Sequence, residues 1–313
     1  MKAVGAFAFG GPEVLRVVDV PEPHAGPGEV RIRVHAAAVN PADTLMRAGL
    51  VPLPGVRPPY IPGQDAAGVV DAIGEGAVTG LRIGDRVMAM AIPTGPRGGA
   101  YAEHVVLPAS WVTRAPAGTS HAEAATLPMN GLTARMTLDL LNLSPGRTLA
   151  VTGAAGAFGG YTVQLAKAAG LRVVADASPS DEDLVRSLGA DIVVARGDDV
   201  GARIRRAVPE GVDGLADGAL IGASVVAAVR DGGGVAALRG TGPFGAPERG
   251  ITFHTVYVPD YRGNWDKLDQ LRRLADAGAV TLRVAGVFPP AQASEAHRLL
   301  EAGGVRGRLV IEF

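Results

Sequence analysis

Short hydrophobic stretches separated by glycine and proline dominate the first third of the chain. Residues 14–20 form a strand-like run, and apolar and polar residues alternate over 30–35, as in a strand with one buried face. Further short runs at 69–70, 83–87 and 99–106 are bounded by glycine turns. Several short strands before any long helix predict a small all-β barrel or sandwich.

The pattern changes near residue 118. Ser120 and Glu123 have the spacing of a capping box, which marks the start of a helix. Beyond it, apolar runs over 148–152, 171–175 and 192–194 alternate with stretches of helical periodicity. This βαβαβ order predicts one half of a Rossmann domain.

Later segments extend both patterns. An amphipathic helix is predicted over 265–277, and another helix over 293–300. Further strands are predicted at 212–217, 235–239, 251–257, 284–288 and 309–313. Because the final segments resemble a return to the β-rich part, we predict two domains, one of residues 1–118 and 262–313 and one of residues 119–261.

The strand predicted over 148–152 leads into a glycine-rich turn, which a helical pattern follows at once. A tight turn requires a positive φ, and a pyrophosphate reaches backbone N–H groups only where no Cβ intervenes. Read alone, such a turn could lie on any surface, but the strand before it and the helix after it favour a dinucleotide-binding loop. The predicted loop consists of Gly153, Ala154, Ala155, Gly156, Ala157 and Phe158.

Composition and charge limit the class of protein. A length of 313 residues suggests two domains at ~150 residues each, and 47% hydrophobic with 19% charged residues is typical of a soluble globular protein. A net charge of −1 gives no indication of a nucleic-acid or membrane partner. Without a signal peptide or a membrane-length apolar run, we expect a cytoplasmic protein.

The chain has no cysteine. This excludes disulfides, thiol catalysis and zinc sites with cysteine ligands. The six histidines include no pair at the i, i+4 spacing of a helical metal site. We therefore predict no metal site.

Six segments, in order along the chain, carry a family resemblance. They are residues 38–43, 62–68, 84–87, 127–134, the glycine loop, and 296–301 together with 307–310. Over essentially its full length the chain resembles the medium-chain dehydrogenase/reductases, specifically their zinc-free, zeta-crystallin-like quinone oxidoreductase branch. The resemblance implies an α/β fold: a GroES-like β-barrel catalytic domain plus a Rossmann domain with a doubly wound parallel sheet.

The zinc-dependent branch of that family has His at the position of Gln64 and cysteines near the position of Asn40. The resemblance therefore implies hydride transfer without a metal, to an acceptor that delocalises charge, such as a quinone or an α,β-unsaturated carbonyl. Two alternatives stay open: an enoyl reductase of a biosynthetic pathway, and a non-catalytic protein that binds or senses NADPH.

Three polar residues are the candidates for the catalytic site. Asn40 lines the nicotinamide pocket in the resembling family, and its alternative role is the N-cap of a short helix. Asp43 either caps the same helix or accepts a hydrogen bond at the pocket wall. Gln64 either orients the substrate carbonyl or is a buried structural amide. Tyr60 and Tyr101 are each either a proton donor or a core aromatic residue.

The resemblance favours NADP(H) as cofactor, with NAD(H) as the alternative. Ser178 lies where the family holds the 2′-phosphate, but the expected basic residue is missing there, and Asp176 would favour NAD by bonding the ribose hydroxyls. Arg196 either binds the adenosine end of the cofactor or is simply exposed. The other predicted cofactor contacts are Asn40, Met129, Asn130, Thr133, Leu238, Gly240, Val256 and Arg308.

The predicted strand near residues 253–258 would form an edge of the Rossmann sheet. A bare edge favours pairing with a second copy of itself. The expected partners are therefore a small quinone or enone substrate and a second copy of the chain, as a homodimer.

Overall fold

The short strands of the first third of the chain build one of two units into which the protein divides. The structure is a computed structural model that describes residues 1–95, 97–246, 248–261 and 264–313. The first unit contains residues 1–129, 261–277 and 282–313, and the second contains residues 130–260 and 278–281. Within the described ranges, no helix has the length and apolar character needed to cross a membrane.

The first unit is rich in short strands. They are β1 (Lys2–Gly5), β2 (Arg16–Asp19), β3 (Glu29–Ala38), β4 (Asp65–Ile73), β5 (Arg86–Met90), β6 (His104–Pro108), β7 (Val112–Arg114), β14 (Val284–Phe288) and β15 (Arg308–Glu312). Its helices are α1 (Pro41–Arg47), α2 (His121–Ala125), α7 (Trp265–Asp276) and α8 (Ala293–Ala302). The main sheet has the order β14–β15–β3–β4–β5–β7, with β6 paired to β3, and β1 pairs separately with β2.

Strand β3 is at the centre of this sheet, since β15, β4 and β6 all pair with it. Val30, Ile32 and Val34 are buried and alternate with more exposed residues. This is the period-two pattern of a strand with one face on the core, and the strand predicted at 30–35 is confirmed. The buried side chains join one apolar core with Val87 and Ile311.

The second unit has the alternating pattern predicted for a Rossmann domain. Its strands are β8 (Thr148–Thr152), β9 (Arg172–Ala177), β10 (Ile192–Ala195), β11 (Val212–Asp217), β12 (Val229–Ala237) and β13 (Thr252–Thr255). Its helices are α3 (Pro128–Leu141), which begins two residues earlier in the first unit, α4 (Ala157–Ala168), α5 (Glu182–Ser187) and α6 (Val200–Ala207).

The sheet of the second unit has the order β10–β9–β8–β11–β12–β13, and every neighbouring pair is parallel. This is the strand order of the doubly wound dinucleotide-binding fold. The chain leaves β8 toward one side of the sheet, returns, and continues on the other side from β11. The Rossmann prediction is confirmed.

One predicted strand is largely wrong. Of residues 99–106, only those from His104 onward form a regular strand. Gly99 and Ala100 instead donate backbone hydrogen bonds to the carbonyls of Ile61 and Gly63. A Cβ on Gly99 would lie 2.4 Å from the carbonyl oxygen of Gly63, so glycine permits this close packing of two loops.

The helix start predicted at Ser120 is confirmed. The Ser120 Oγ accepts the backbone N–H of Glu123, and the Glu123 carboxylate accepts the backbone N–H of Ser120 at 2.7 Å. Helix α2, which follows, packs on β3 and β4 of the first unit. The compact units therefore separate after Met129, whereas the domain boundary predicted from composition lies at residue 118 and stays a prediction.

Candidate active site

The predicted cofactor residues of the second unit lie at one edge of its sheet. Because all its strands are parallel, their carboxyl ends share this edge, where doubly wound folds bind their ligands. The glycine loop follows β8, Ser178 follows β9, Arg196 follows β10, Leu238 and Gly240 follow β12, and Val256 follows β13. The topology thus places residues that are far apart in the sequence along one edge of the sheet.

The glycine loop has the backbone that a dinucleotide requires. Gly153 has a φ of 69°, which other residues rarely adopt. A Cβ on Gly159 would lie 2.3 Å from the carbonyl oxygen of Gly153, so only glycine lets α4 approach the loop this closely. Gly156 is extended and immediately precedes α4. The loop therefore presents a helix N-terminus, a favourable place for a phosphate.

Asp176, at the end of β9, contacts this loop. Its Oδ1 accepts the backbone N–H of Ala154 at 3.2 Å, and the carboxyl group is buried. Burial raises the pKa of Asp176, while hydrogen bonds from the loop and the charge of Arg196 oppose the shift. The carboxylate thus holds the loop backbone, and the ribose-binding role expected of it stays a prediction.

Ser178 and Arg196 are neighbours across two strands. Ala177 of β9 is in register with Ala195 of β10, and the Arg196 N–H donates to the Ala177 carbonyl at 2.8 Å. Arg196 is exposed, and Ser178 donates its hydroxyl proton to Asp181 at 2.5 Å. Ser178 and Arg196 therefore follow neighbouring positions of two paired strands, and the Ser178 hydroxyl is bonded to an acidic residue.

The other predicted contacts of the second unit have simpler surroundings. Asn130 and Thr133 lie one turn apart on α3, so they share a face of that helix; Asn130 is buried and Thr133 half-buried. Gly240 has a φ of 82° in the turn after β12 and bridges to Leu238. The N–H of Val256 donates to the Ala237 carbonyl at 2.9 Å.

In the first unit, three predicted cofactor residues meet at one buried carboxylate, that of Asp65. The Asn40 Nδ2 donates to Asp65 Oδ2 at 2.8 Å, and the Met129 backbone N–H donates to Oδ1 at 2.6 Å. The Arg308 guanidinium lies 3.8 Å from Oδ2. Asn40, Asp65 and Arg308 are almost completely buried. The structure thus joins these three residues through a fourth that we did not predict as part of the site.

Asn40 is the N-cap residue of α1, the alternative role considered for it. Asp43, three residues on, accepts the Asn40 backbone N–H at 2.8 Å and the Gly63 N–H at 2.9 Å. The fully buried Asp43 carboxylate therefore caps α1 and also fixes the loop before Gln64. Its predicted catalytic role stays a prediction.

The buried polar network continues beyond Asp43. The Tyr101 hydroxyl lies 3.5 Å from Asp43 Oδ2 and 3.1 Å from His297 Nε2. Both Tyr101 and His297 are fully buried. Burial raises the pKa of Tyr101 well above its usual range and lowers that of His297 to about 3. These observations favour the core-aromatic role for Tyr101, whereas Tyr60 stacks on Phe9 with ring centroids 4.6 Å apart.

Gln64 is 9% exposed, and its backbone carbonyl accepts the Ala91 N–H at 2.7 Å. In the part of the chain that the structure describes, its side-chain amide makes no hydrogen bond. A structural amide would be satisfied by the protein itself. The Gln64 side chain thus retains a neutral donor and acceptor for a ligand.

Arg308 is the second polar side chain that the protein leaves incompletely satisfied. It is 4% exposed, and among the described residues its Nε and Nη2 have no hydrogen-bond partner. A buried guanidinium with free donors is costly unless an anion or acceptor meets it. These donors are suited to an anionic group, and the cofactor contact expected of Arg308 stays a prediction.

The two buried carboxyls of this network have strongly shifted pKa values. Burial raises the pKa of Asp65 to about 6, although Arg308 and the hydrogen bonds from Asn40 and Met129 oppose the shift. Burial raises the pKa of Asp43 to about 7, and the charge of Asp65 adds to that effect. Both groups therefore titrate near neutral pH.

Sequence reasoning missed Asp65 as a site residue, although it lies within a segment that carried the family resemblance. A signal was available: Asp65 directly precedes the apolar run of residues 66–70, and an acidic residue requires a partner when it is buried. For the metal prediction, no group of three or more His, Cys, Asp or Glu is placed to hold an ion within the described ranges.

Two family models match the chain. Residues 26–117 match the alcohol dehydrogenase GroES-like domain, and residues 188–311 match the zinc-binding dehydrogenase family. The first match lies entirely within the first unit and its strand-rich sheet. The prediction of a GroES-like domain combined with a Rossmann domain is confirmed.

Curated relatives match at moderate identity. The chain is 39% identical over 202 residues to the chloroplastic quinone-oxidoreductase QR1 of Triphysaria versicolor, which covers 62% of this chain and 60% of that protein. It is 31% identical over 324 aligned positions to the chloroplastic NADPH-dependent alkenal/one oxidoreductase of Arabidopsis thaliana, covering 99% of this chain and 79% of that one. The chain thus spans about three fifths of the length of the first relative.

Solved structures agree over the whole chain. A structure described as an NAD-dependent alcohol dehydrogenase superposes with a TM-score of 0.89 at 33% identity and covers 100% of both chains. The same fold is therefore found in a solved protein over the full extent of both chains.

Proposed function

The chain belongs to the medium-chain dehydrogenase/reductase family, in which it has quinone oxidoreductases among its relatives, and from this premise we propose that it is an NADPH-dependent, metal-independent reductase of quinones or α,β-unsaturated carbonyls. The observation that carries the proposal is the glycine loop at the carboxyl end of β8, with Gly153 at positive φ and Gly159 of α4 in close contact with the Gly153 carbonyl. This backbone is suited to a dinucleotide pyrophosphate.

The residues present fit a nicotinamide dinucleotide. In the second unit, the loop of residues 153–158 would hold the pyrophosphate. In the first unit, Arg308 has buried donors that are suited to an anionic group. Asn40, Asn130 and Thr133 are polar side chains suited to hold the nicotinamide end. When bound, the reduced cofactor supplies a hydride.

The first unit supports reduction of an activated carbonyl. Gln64 offers an amide that is not committed to the protein, so it can donate a hydrogen bond to a carbonyl oxygen on which negative charge develops. Neither Asn40 nor Gln64 is a ligand that zinc prefers. A quinone or enone suits such a site, since it spreads the charge over a conjugated system. The names of the plant relatives support both acceptor classes.

The preference for NADPH rests on the positions of Ser178 and Arg196, which directly follow two paired strands, and on the NADPH-dependent relative. Asp176 holds the glycine loop with its carboxylate, which leaves the adjacent Ser178 and Arg196 to meet a 2′-phosphate. A guanidinium group suits a phosphate. The NAD-dependent structural relative makes the comparison of the two cofactors necessary.

Steady-state kinetics test the proposal. The purified protein should oxidise NADPH in the presence of an ortho-quinone or an unsaturated ketone, as followed by the absorbance of the reduced nicotinamide. Fluorescence titration should give a lower Kd for NADPH than for NADH. An enoyl thioester that is reduced faster than every quinone and ketone would assign the protein to the enoyl reductases, and no binding of either cofactor would refute the proposal.

Three variants separate the site from the fold. Asn40→Ser keeps a good N-cap residue but removes the amide, and it should lower kcat/KM by roughly 10- to 100-fold. Gln64→Ala should lower kcat by a similar factor. Gln270→Ala, on the exposed side of α7, is the matched control and should leave turnover unchanged. If Asn40→Ser and Gln64→Ala turn over the quinone like the control, the site assignment is wrong.

A further inference from the structure

Asp65 has no assigned role, yet its carboxylate is the point at which Asn40, Met129 and Arg308 meet. Both oxygens are used: Oδ1 accepts from the Met129 backbone at 2.6 Å, and Oδ2 accepts from the Asn40 side chain at 2.8 Å. The Asp65 side chain is fully buried. Burying a carboxylate is unfavourable unless hydrogen bonds and a counter-charge compensate, and this site provides both.

The chemistry of Asp65 fixes the orientation of the Asn40 amide. An ionised carboxylate only accepts hydrogen bonds, whereas an amide has one accepting end and one donating end. The Asn40 Nδ2 must therefore face Asp65, and the Asn40 carbonyl oxygen must lie on the other side. The same Nδ2 also donates to the Ala38 carbonyl, but at a longer distance of 3.4 Å. A neutral group at position 65 can both donate and accept, so it would leave this orientation to the longer bond alone.

The Asp65 carboxylate also attracts the Arg308 guanidinium, by charge rather than by a hydrogen bond. Its Nη2 lies 3.8 Å from Oδ2, beyond hydrogen-bond distance, and in the described part of the structure its Nε and Nη2 have no other partner. Asp65 thus neutralises the guanidinium without consuming its donors. The donors stay available for an anion.

We propose that Asp65 is a positioning residue of the cofactor site: its carboxylate orients the Asn40 amide, anchors the backbone at Met129 and holds Arg308 ready for an anionic group of the dinucleotide. The inference rests on the proposed function, because it requires that these three residues contact the cofactor. Asp65 itself acts through them.

Because Asp65 fulfils this role only when it is ionised, the role predicts a pH dependence of cofactor binding. The charged and polar groups that face it are Arg308, Asp43 and Tyr101, and its pKa is raised to about 6. At about pH 8 the carboxylate is charged and orients its partners, and at about pH 5 it is largely neutral. Asp65→Asn resembles the neutral form at every pH.

The experiment compares Asp65→Asn with the wild-type protein by fluorescence titration of NADPH across this pH range. At about pH 8 the variant should bind roughly tenfold more weakly, which is the loss expected for a hydrogen bond to a charged group. Toward about pH 5 the ratio of the two Kd values should approach one. Titration of the NADPH phosphate affects both proteins equally and cancels in the ratio.

Asp71→Asn is the matched control. Asp71 lies on the same strand, β4, and pairs with Arg31 at 2.9 Å, but it contacts none of the three cofactor residues. The ratio of its Kd for NADPH to that of the wild-type protein should stay near one at every pH. An Asp65→Asn penalty that is the same at both pH values would indicate a merely structural role, and no penalty would overturn the inference. Failure of the wild-type protein to bind NADPH would instead refute the proposed function.

A second measurement needs no variant at position 65, in case Asp65→Asn does not fold. The side-chain amide signal of Asn40, assigned with Asn40→Ser in protein labelled at asparagine, reports the ionisation of Asp65 by NMR. It should shift with pH, and the affinity of the wild-type protein for NADH, which has no titrating 2′-phosphate, should fall over the same interval as the pH decreases. An affinity that does not change across this shift overturns the inference.

Discussion

At the scale of single residues, buried aspartates in this protein serve mainly to hold backbone N–H groups. Asp43 accepts from Asn40 and Gly63, and Asp65 accepts from Met129. Asp176 accepts from Ala154, and Asp217 accepts from Gly222 at 2.9 Å. A carboxylate that accepts several N–H bonds is a rigid anchor, because its two oxygens fix two segments at once. These loops are thus held by charge-assisted bonds rather than by apolar packing alone.

Asp176 provides a prediction at this scale. Asp176→Asn should weaken the binding of NADPH and NADH by a similar factor of roughly 3 to 10, because it loosens the glycine loop that holds the pyrophosphate common to both. A ribose ligand would act differently: its loss would weaken NADH selectively. The two Kd values from fluorescence titration decide between these roles.

The control for this variant is Asp191→Asn. Asp191 also accepts a backbone N–H of β9, that of Val173 at 2.7 Å, but at the opposite end of the strand from the glycine loop. It should lower stability without changing either Kd. A selective loss of NADH binding in Asp176→Asn would restore the ribose-binding role expected from the sequence.

At the scale of elements, Asp43 connects the N-terminus of α1 with the loop that leads into β4. Its two oxygens accept one N–H from each segment, and the Tyr101 hydroxyl lies 3.5 Å away. This connection places Asn40 and Gln64 on either side of one buried carboxyl. The geometry of the candidate site therefore depends on a group that titrates near neutral pH.

This dependence predicts how stability changes with pH. Since the folded protein raises the pKa of Asp43 to about 7, it binds a proton that the unfolded chain has released, and the resulting stabilisation is lost as the pH rises. Between about pH 5.5 and about pH 8, wild type should lose roughly 2 kcal/mol of unfolding free energy relative to Asp43→Asn. Urea denaturation of both proteins at each pH measures this difference.

His297 acts in the opposite direction, since its lowered pKa reduces stability as the pH falls below its usual value. Both proteins contain His297, so its contribution cancels in the comparison. A constant difference between the two proteins across the pH range would show that Asp43 does not titrate in this interval.

Most elements could be predicted from the sequence because their patterns are local. Period-two alternation marked β3, and glycines next to an apolar run marked the turn between β8 and α4. The strand expected over 99–106 was wrong because its first half bonds to the loop at 61–63, a tertiary contact that no local pattern contains. Helix α6 was not predicted; it is short, with three arginines among its eight residues and only Val200 and Ile204 as large apolar side chains.

The candidate site was predictable only in part, for a related reason. The resemblance supplied Asn40, Met129 and Arg308 as separate contacts, but their common partner Asp65 emerges only when β4, β15 and the start of α3 come together. The direction of the Asp176 carboxylate is likewise a matter of side-chain geometry. Sequence spacing predicts which residues lie near the end of a strand. It does not predict which atoms their side chains contact.

At the scale of the whole molecule, we propose a homodimer formed along β13. This strand ends the six-stranded order of the second unit, so among the described residues it pairs only with β12. Val256 donates its N–H toward β12, and because successive N–H groups of a strand point to opposite sides, that of Thr255 points outward. An open edge of this kind favours pairing with a second copy.

Thr255→Pro tests the dimer. It removes the outward N–H, so a dimer built on this edge should shift toward monomer by roughly tenfold or more in its dissociation constant. Thr255→Val keeps the N–H and is the matched control. Light scattering at micromolar concentration measures both. A wild-type protein that is already monomeric, or a proline variant that stays as dimeric as the valine variant, would contradict this arrangement.

The position of β15 has a consequence for how the protein folds. Val310 of β15 pairs with Ala38 of β3, so two strands from opposite ends of the sequence lie side by side within one sheet, with the entire second unit between them along the chain. Contacts of such long sequence separation close late and slow folding. The second unit, by contrast, is almost continuous in sequence. During synthesis the second unit can become ordered before β15, the last strand of the first unit, has been made. Arg308 is the first residue of β15, so it joins the first unit only at that final stage.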